Sequence, residues 1–210
     1  VKLTCFSSRE SAATAAMESC THAIKSALDE QGPITLVVSG GGTPEYFLTC
    51  LSSQSLPWTR VKVTLTDERC VPVTDALSNE AMVRRLLLKN EAAVTQMVSM
   101  RPGPLKLTQP AAFTLVGMGP DGHFASLFPD LSGLDALLDV TKPPEIVQIE
   151  TTASPVPRLS MNLSALLETR ELVLLAFGED KKAVIQNPEG LPIAALLNQS
   201  IRPVHVYWAP

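Results

Sequence analysis

The sharpest chemical signal in the chain is one histidine framed by glycines. It lies in Gly117-Met118-Gly119-Pro120-Asp121-Gly122-His123-Phe124-Ala125-Ser126-Leu127-Phe128-Pro129. Imidazole is the side chain whose ordinary pKa lies near neutrality, so His123 is a natural general acid or base. Asp121, two residues earlier, is close enough to orient or charge-tune the ring. The other two histidines carry no such frame: His22 falls in a helical pattern and His205 in a strand, and both read as structural or exposed. Two further segments offer anion chemistry. In Ser39-Gly40-Gly41-Gly42-Thr43-Pro44 the glycines let backbone approach a bound group, and N–H groups at a helix start favour an anion. The plain alternative is a tight strand-to-helix turn. The segment is neither GxxxxGK[ST] nor GxGxxG, which argues against a nucleotide phosphate loop. In Asp67-Glu68-Arg69 the guanidinium suits bidentate recognition of phosphate or carboxylate, while a carboxylate could orient it or meet sugar hydroxyls. A surface ion-pair cluster is the alternative. Further basic residues are Arg158, in Pro155-Val156-Pro157-Arg158-Leu159-Ser160, and Lys181 and Lys182 after Phe177-Gly178-Glu179-Asp180. Lysines at a helix start oppose the macrodipole; a bound anion would account for that, and solvated lysines would too. No GxSxG elbow is present, which leaves a serine-hydrolase mechanism little support.

These residues need elements to hold them. Ser8 to about Glu30 has helical spacing, stopped by Gly32-Pro33. Ile34–Val38 and Val61–Leu65 are short apolar runs rich in β-branched residues, expected as buried parallel strands. Thr43 suits an N-cap and Pro44 a first helical position. Helices are expected at 78–89, 133–138, 163–167, 179–185 and 193–197, and strands at 113–118, 147–149, 171–177 and 204–207. The stretch 91–109, broken by Pro102, Gly103 and Pro104, reads as loop with one strand near 97–100. Alternating strands and helices mean an α/β protein with a mainly parallel open sheet covered by helices on both faces. Ligands of such sheets bind outside the carboxyl ends of the strands, and the segments 39–44, 66–69 and 117–123 all follow strands directly.

Composition narrows the function classes. The chain has 210 residues, 45% hydrophobic and 18% charged, with a net charge of −4, and is expected to form one domain over 1–210. That composition rules out intrinsic disorder. The acidic balance argues against a general nucleic-acid binder while leaving room for a local cationic pocket. No apolar stretch approaches the ~18 residues of a membrane span, and the chain is expected to be cytoplasmic. The first residues, Val1-Lys2-Leu3-Thr4, carry neither an apolar leader nor an initiator Met, the pattern of a trimmed start. The four cysteines, at 5, 20, 50 and 70, form no CxxC pair and read as buried reduced thiols. No histidine makes a ligand pair with a cysteine, so no metal is expected. Trp58, Trp208 and Met118 are expected as core or edge packing.

Taken in order, the blocks resemble the 6-phosphogluconolactonase family of the sugar-phosphate isomerase/deaminase superfamily. The resemblance rests on Ser39–Pro44, on Asp67-Glu68-Arg69-Cys70-Val71-Pro72 with Ser78-Asn79, on Gly117–Pro129, on Arg158-Leu159-Ser160, and on Gly178 to Lys181. It implies a modified Rossmann-like fold and hydrolysis of 6-phosphoglucono-1,5-lactone to 6-phosphogluconate without metal or organic cofactor. It also implies a small phosphorylated sugar lactone as partner, and no nucleic acid or membrane. Carried over by position, His123 would activate water and Asp121 would support it. Gly41, Gly42 and Thr43 would line the cleft with Asp67, while Arg69, Arg158 and Lys181 would hold the phosphate.

The chain departs from the family pattern in places. Gly42 replaces a serine, Asp75 stands where many members carry histidine, and Thr114 replaces a common aspartate. The segment 91–112 is expected to lack a helix. Two other readings compete. A glucosamine-6-phosphate isomerase/deaminase shares the glycine loop and Gly-x-Asp-Gly-His, but continues Ala-Phe-Asn-Glu-Pro where this chain has Ala125-Ser126-Leu127-Phe128-Pro129. A non-catalytic sugar-phosphate sensor would have less need of His123 with Asp121.

Overall fold

The computed structural model describes residues 1–210. In chain order the elements are β1 (Lys2–Cys5), α1 (Arg9–Ser26), β2 (Ile34–Val38), α2 (Glu45–Leu51), β3 (Val61–Leu65), β4 (Asp67–Arg69), α3 (Asn79–Leu86), β5 (Gln96–Met97) and β6 (Gly103–Pro104). There follow β7 (Ala111–Val116), α4 (Leu134–Leu138), β8 (Glu145–Ile149), β9 (Arg158–Met161), α5 (Leu163–Leu167), β10 (Thr169–Phe177), α6 (Glu179–Gln186), α7 (Ile193–Asn198) and β11 (Val204–Ala209). Seven strands form one sheet in the order β1-β11-β10-β7-β2-β3-β5, and every pairing in it is parallel. A second, antiparallel sheet runs β4-β9-β8-β6.

The central strands are long on β-branched and aliphatic residues because both of their faces are covered. All six residues of β7 are buried, and since successive side chains point to opposite faces, neither face of β7 meets solvent. Fifty-one of the buried apolar residues form one continuous cluster, reaching from Ala12 of α1 to Ala209 of β11. Trp58, Trp208 and Met118 all belong to it. No helix is long and apolar enough to cross a membrane.

Several elements differ from the expectation, each for a local reason. The first helix ends at Ser26, four residues before Glu30. The Arg60 guanidinium takes the carbonyls that follow, bonding Leu28 O at 2.9 Å, Glu30 O at 2.5 Å and Gly32 O at 3.2 Å. Thr43 does not cap α2: Pro44 holds the N-cap position with helical dihedrals and no side-chain cap. The helix expected over 78–89 stops at Leu86, with Ser78 Oγ accepting from Ala81 N. The segment 91–109 carries a 3-10 turn at Asn90–Val94 and two two-residue strands, β5 and β6; it has no α-helix. Residues 67–69 form a strand of the second sheet, reached from β3 through the fully buried Thr66. β1 and β9 were not expected from periodicity at all. Of the cysteines, only Cys20 is fully buried, while Cys5 and Cys70 are exposed. Burial, with Glu171 nearby, pushes the Cys20 thiol well above its ordinary range, so it packs as an inert apolar group.

The chain takes a left-handed turn just before His123. Gly122 has φ +74°, and a Cβ there would lie 2.8 Å from Leu191 Cβ. Its carbonyl accepts from Ile193 N at 3.0 Å, which ties this turn to the start of α7. Gly122→Ala should therefore combine a left-handed backbone penalty with overpacking, costing about 2–4 kcal/mol. Urea unfolding monitored by circular dichroism measures it, and a loss below about 0.5 kcal/mol would contradict the packing described.

Candidate active site

The order of strands places the site. From β2 the chain steps outward through β3 to β5, then returns as β7 on the other side of β2 and continues outward to β10 and β11. The carboxyl ends of β2 and β7 thus flank a topological switch point, where open α/β sheets form their clefts. Ser39 follows β2 and Gly117 follows β7; a Cβ on Gly117 would lie 3.5 Å from Ser39 Oγ. A cavity of about 170 Å³ opens here, lined among others by Gly41, Thr43, Asp67, Arg69, His123 and Arg158. Six of the nine residues singled out for the site meet in it. Gly42 and Lys181 instead line a larger, more open recess of about 770 Å³ with Arg9, Tyr46 and Phe177. Thr43 borders both, so the recesses adjoin. Asp121 lines neither and reaches the cavity through His123.

The histidine is fixed by its own loop. Gly119 N bonds His123 O at 2.9 Å and Gly122 N bonds Gly119 O at 3.1 Å. His123 Nδ1 lies 2.5 Å from Asp121 Oδ1. That contact suits the tautomer with its proton on Nδ1, in which Nε2 carries none. The ring also packs on Phe128, with centroids 4.2 Å apart. Gly119 is obligatory for close approach, because a Cβ there would fall 2.2 Å from His123 Cε1 and 2.6 Å from Asp121 Oδ1.

Asp67 joins three segments of the cavity wall. It is 6% exposed. Its Oδ1 accepts from Thr66 Oγ1 at 2.9 Å and its Oδ2 from Ser126 Oγ at 2.7 Å. Arg158 Nη1 stands 3.6 Å from the same Oδ2. Arg158 takes its own support from Ser154 Oγ, at 2.9 Å from Nε, and from the Phe128 ring face, 5.3 Å from the guanidinium carbon. Burial lowers the pKa of Arg158, and neighbouring Arg69 lowers it further against the pull of Asp67 and Glu68. Two guanidinium groups with incomplete compensation make the wall attractive to an anion.

Arg69 donates from Nη1 to Leu77 O at 2.6 Å. Its Nε is buried with no partner, and so is Ser39 Oγ. Both residues line the cavity, and unpaired buried donors at a cavity wall are groups that a ligand or ordered water can satisfy. Lys181 Nζ donates to Phe177 O at 3.3 Å at the edge of the larger recess. Lys182 needs no anion to explain it, since its Nζ sits 3.8 Å above the Trp208 ring and 3.8 Å from Glu179.

Two roles were not visible in the sequence. Glu68, between two cavity residues, faces away from the cavity and caps α3. Its Oε1 accepts from Arg69 N and Asn79 N, both at 2.7 Å, and its Oε2 from Glu80 N at 2.7 Å and Ser78 Oγ at 3.0 Å. Asn79, 2% exposed, bonds Asp67 O at 2.8 Å and reaches the first loop. A Cβ on Gly40 would lie 2.0 Å from Asn79 Oδ1, so this glycine serves the fit between two loops. The Asx turn at Asp75, whose carboxylate accepts from Leu77 N at 2.8 Å, shapes the connection. The protein gathers no group of three or more His, Cys, Asp or Glu side chains suited to a metal ion.

A family profile described as glucosamine-6-phosphate isomerases/6-phosphogluconolactonase matches residues 7–206. The 6-phosphogluconolactonase of Caulobacter vibrioides is 38% identical over 226 residues, covering 100% of this chain and 97% of the relative. That of Rhizobium meliloti is 35% identical over 207 residues, covering 89% of each. Among solved structures, a 6-phosphogluconolactonase from Shewanella baltica superimposes with a TM-score of 0.88 at 29% identity, covering 100% of this chain and 98% of that one.

Glu68→Ala should remove the acceptor for three backbone N–H groups and one hydroxyl and cost about 2 kcal/mol, since part of the donor set regains water. Hydrogen exchange at the Asn79 and Glu80 amides should accelerate while exchange in β7 does not. Unchanged protection at 79–80 would contradict the cap.

Proposed function

Since the chain belongs to the 6-phosphogluconolactonase family, within the glucosamine-6-phosphate isomerases/6-phosphogluconolactonase group, we propose that it hydrolyses 6-phospho-D-glucono-1,5-lactone to 6-phospho-D-gluconate. Its enzyme class is that of a lactone hydrolase. The observation that carries the mechanism is the His123–Asp121 pair, 2.5 Å apart, at the edge of a cavity bordered by Arg69 and Arg158.

In this reading His123 Nε2 accepts a proton from water as the water oxygen bonds to the lactone carbonyl carbon. Asp121 holds Nδ1–H and stabilises the imidazolium that forms. The tetrahedral intermediate carries its negative charge on the former carbonyl oxygen, and donors on the cavity wall stabilise it. Its collapse breaks the bond between the carbonyl carbon and the ring oxygen. That oxygen takes the proton back from His123, giving the open-chain hydroxy acid, which then ionises. Arg69, Arg158 and Lys181 supply positive charge for the phosphate, with Gly41, Gly42 and Thr43 lining its approach. Asp67 holds the wall to which Arg158 belongs.

Hydrolysis of freshly prepared 6-phosphogluconolactone, followed at mildly acidic pH where spontaneous opening is slower, tests the reading directly. His123→Ala should lower kcat by about 10²–10⁴-fold with a much smaller change in KM. A near-normal kcat would remove His123 from the mechanism. Wild-type protein giving no acceleration over background would sink the lactonase reading itself. Arg69→Ala should raise KM for the phosphorylated lactone by roughly tenfold or more, about the worth of one charged hydrogen bond, and affect unphosphorylated glucono-1,5-lactone less. Equal losses on the two lactones would contradict a phosphate role for Arg69.

A further inference from the structure

Asp67 Oδ2 is an acceptor that two donors approach. Ser126 Oγ has it, at 2.7 Å. Arg158 Nη1 stands at 3.6 Å from Oδ2 and 3.4 Å from Ser126 Oγ, beyond the roughly 2.7–2.9 Å of a charge-assisted hydrogen bond. An arginine and an aspartate this buried, with side chains 14% and 8% exposed, would ordinarily close into a direct pair. Here the pair stays loose at 3.6 Å, with Ser126 Oγ beside it, 2.7 Å from Oδ2 and 3.4 Å from Nη1. Ser126 is itself immobile: it is fully buried, and its backbone N–H donates to Ser160 Oγ of β9 at 3.1 Å. Arg158 rests instead on neutral supports, Ser154 Oγ and the Phe128 ring. The residue before Ser126, Ala125, has φ +48°, a conformation uncommon for a side-chain-bearing residue. The loop from His123 therefore holds a local backbone cost at the point where the hydroxyl is delivered to Asp67.

We infer that Ser126 is a positioning residue: by occupying Asp67 Oδ2 it keeps Arg158 from closing onto that carboxylate and leaves the guanidinium free to bind the substrate's anionic group. The inference rests on the reading of Arg158 as an anion ligand given above. Deleting the hydroxyl strips Asp67 Oδ2 of its donor, and a buried carboxylate oxygen without a donor is unfavourable. The nearest group able to satisfy it is Arg158, which then turns inward.

The test is a set of variants assayed on 6-phosphogluconolactone and on unphosphorylated glucono-1,5-lactone, with thermal melting to establish folding. Ser126→Ala should raise KM for the phosphorylated substrate roughly tenfold, which is about 1.4 kcal/mol, while kcat changes by less than about threefold and KM for the unphosphorylated lactone stays put. Adding Asp67→Asn removes the charge onto which Arg158 closes. Introducing Ser126→Ala into an Asp67→Asn background should then cost less than threefold in KM. A purely structural role for Ser126 would give similar losses in both backgrounds and on both lactones, and that outcome overturns the proposal. Arg158→Ala separates the premise from the inference. An unchanged KM in that variant removes the anion-ligand reading and the proposal with it. A raised KM there beside an unchanged KM in Ser126→Ala overturns the spacer alone. If Ser126→Ala does not fold, Ser126→Cys, a weaker donor of similar size, must show the same KM-selective loss at smaller amplitude.

Discussion

A carboxylate buried to 6% exposure has to be satisfied by its surroundings, and the way Asp67 meets that requirement organises the site. It sits two residues past the end of β3, in the first position of β4. Its two oxygens draw in a hydroxyl from the preceding residue and one from the loop that carries His123, while its backbone carbonyl takes Asn79 from the start of α3. Arg158 on the neighbouring strand β9 completes the surroundings. Segments separated by about sixty and ninety residues in sequence are held to one point. The cavity wall is thus a by-product of solvating one negative charge inside the protein.

The parallel sheet was legible because burial on both faces writes itself as short β-branched runs: Ile34–Val38 and Val61–Leu65 came out with their observed boundaries. Of the antiparallel sheet only β8 was legible, as the run 147–149. Its members β4 and β6 are three and two residues long, and β9 follows a proline-rich stretch, so none offers a period to read. Their register comes from long-range pairing with β8 and with each other, a tertiary effect that local propensity does not carry. Thr43 misled for a related reason. A threonine before a proline has the chemistry of a cap, but the loop bends at Pro44 and leaves Thr43 bordering the two recesses.

In the site, the close pairing of His123 with Asp121 was readable because the two partners are near neighbours and the glycines announce an unusual backbone path. Glu68 was opaque because its acceptor atoms meet donors ten to twelve residues away; only a turn folded back by Asp75 brings them together. Ser126 sat inside the most specific sequence block without showing why a hydroxyl belonged there. Its reason is Asp67, fifty-nine residues earlier. Arg69, Arg158 and Lys181 looked alike in the sequence as cations for one phosphate. The fold distributes them over two adjoining recesses, with Thr43 at the border.

The pairing of β1 with β11 bears on how the chain acquires this architecture. Lys2–Cys5 lies against His205–Trp208, and Arg9 of α1 rests over the Phe177 ring at the end of β10. On a ribosome β1 emerges well before β11 and must therefore wait until that partner strand exists. Contacts of such long sequence separation close late and slowly, and until then β7 presents an unpaired edge where β10 will dock. The larger recess, built from Arg9, Thr43 and Lys181, is consequently among the last features to form. A nascent chain arrested before β10 would carry the His123 segment without the Ile193 amide that ties its turn, without the groove beside it and without the strand that shields its sheet.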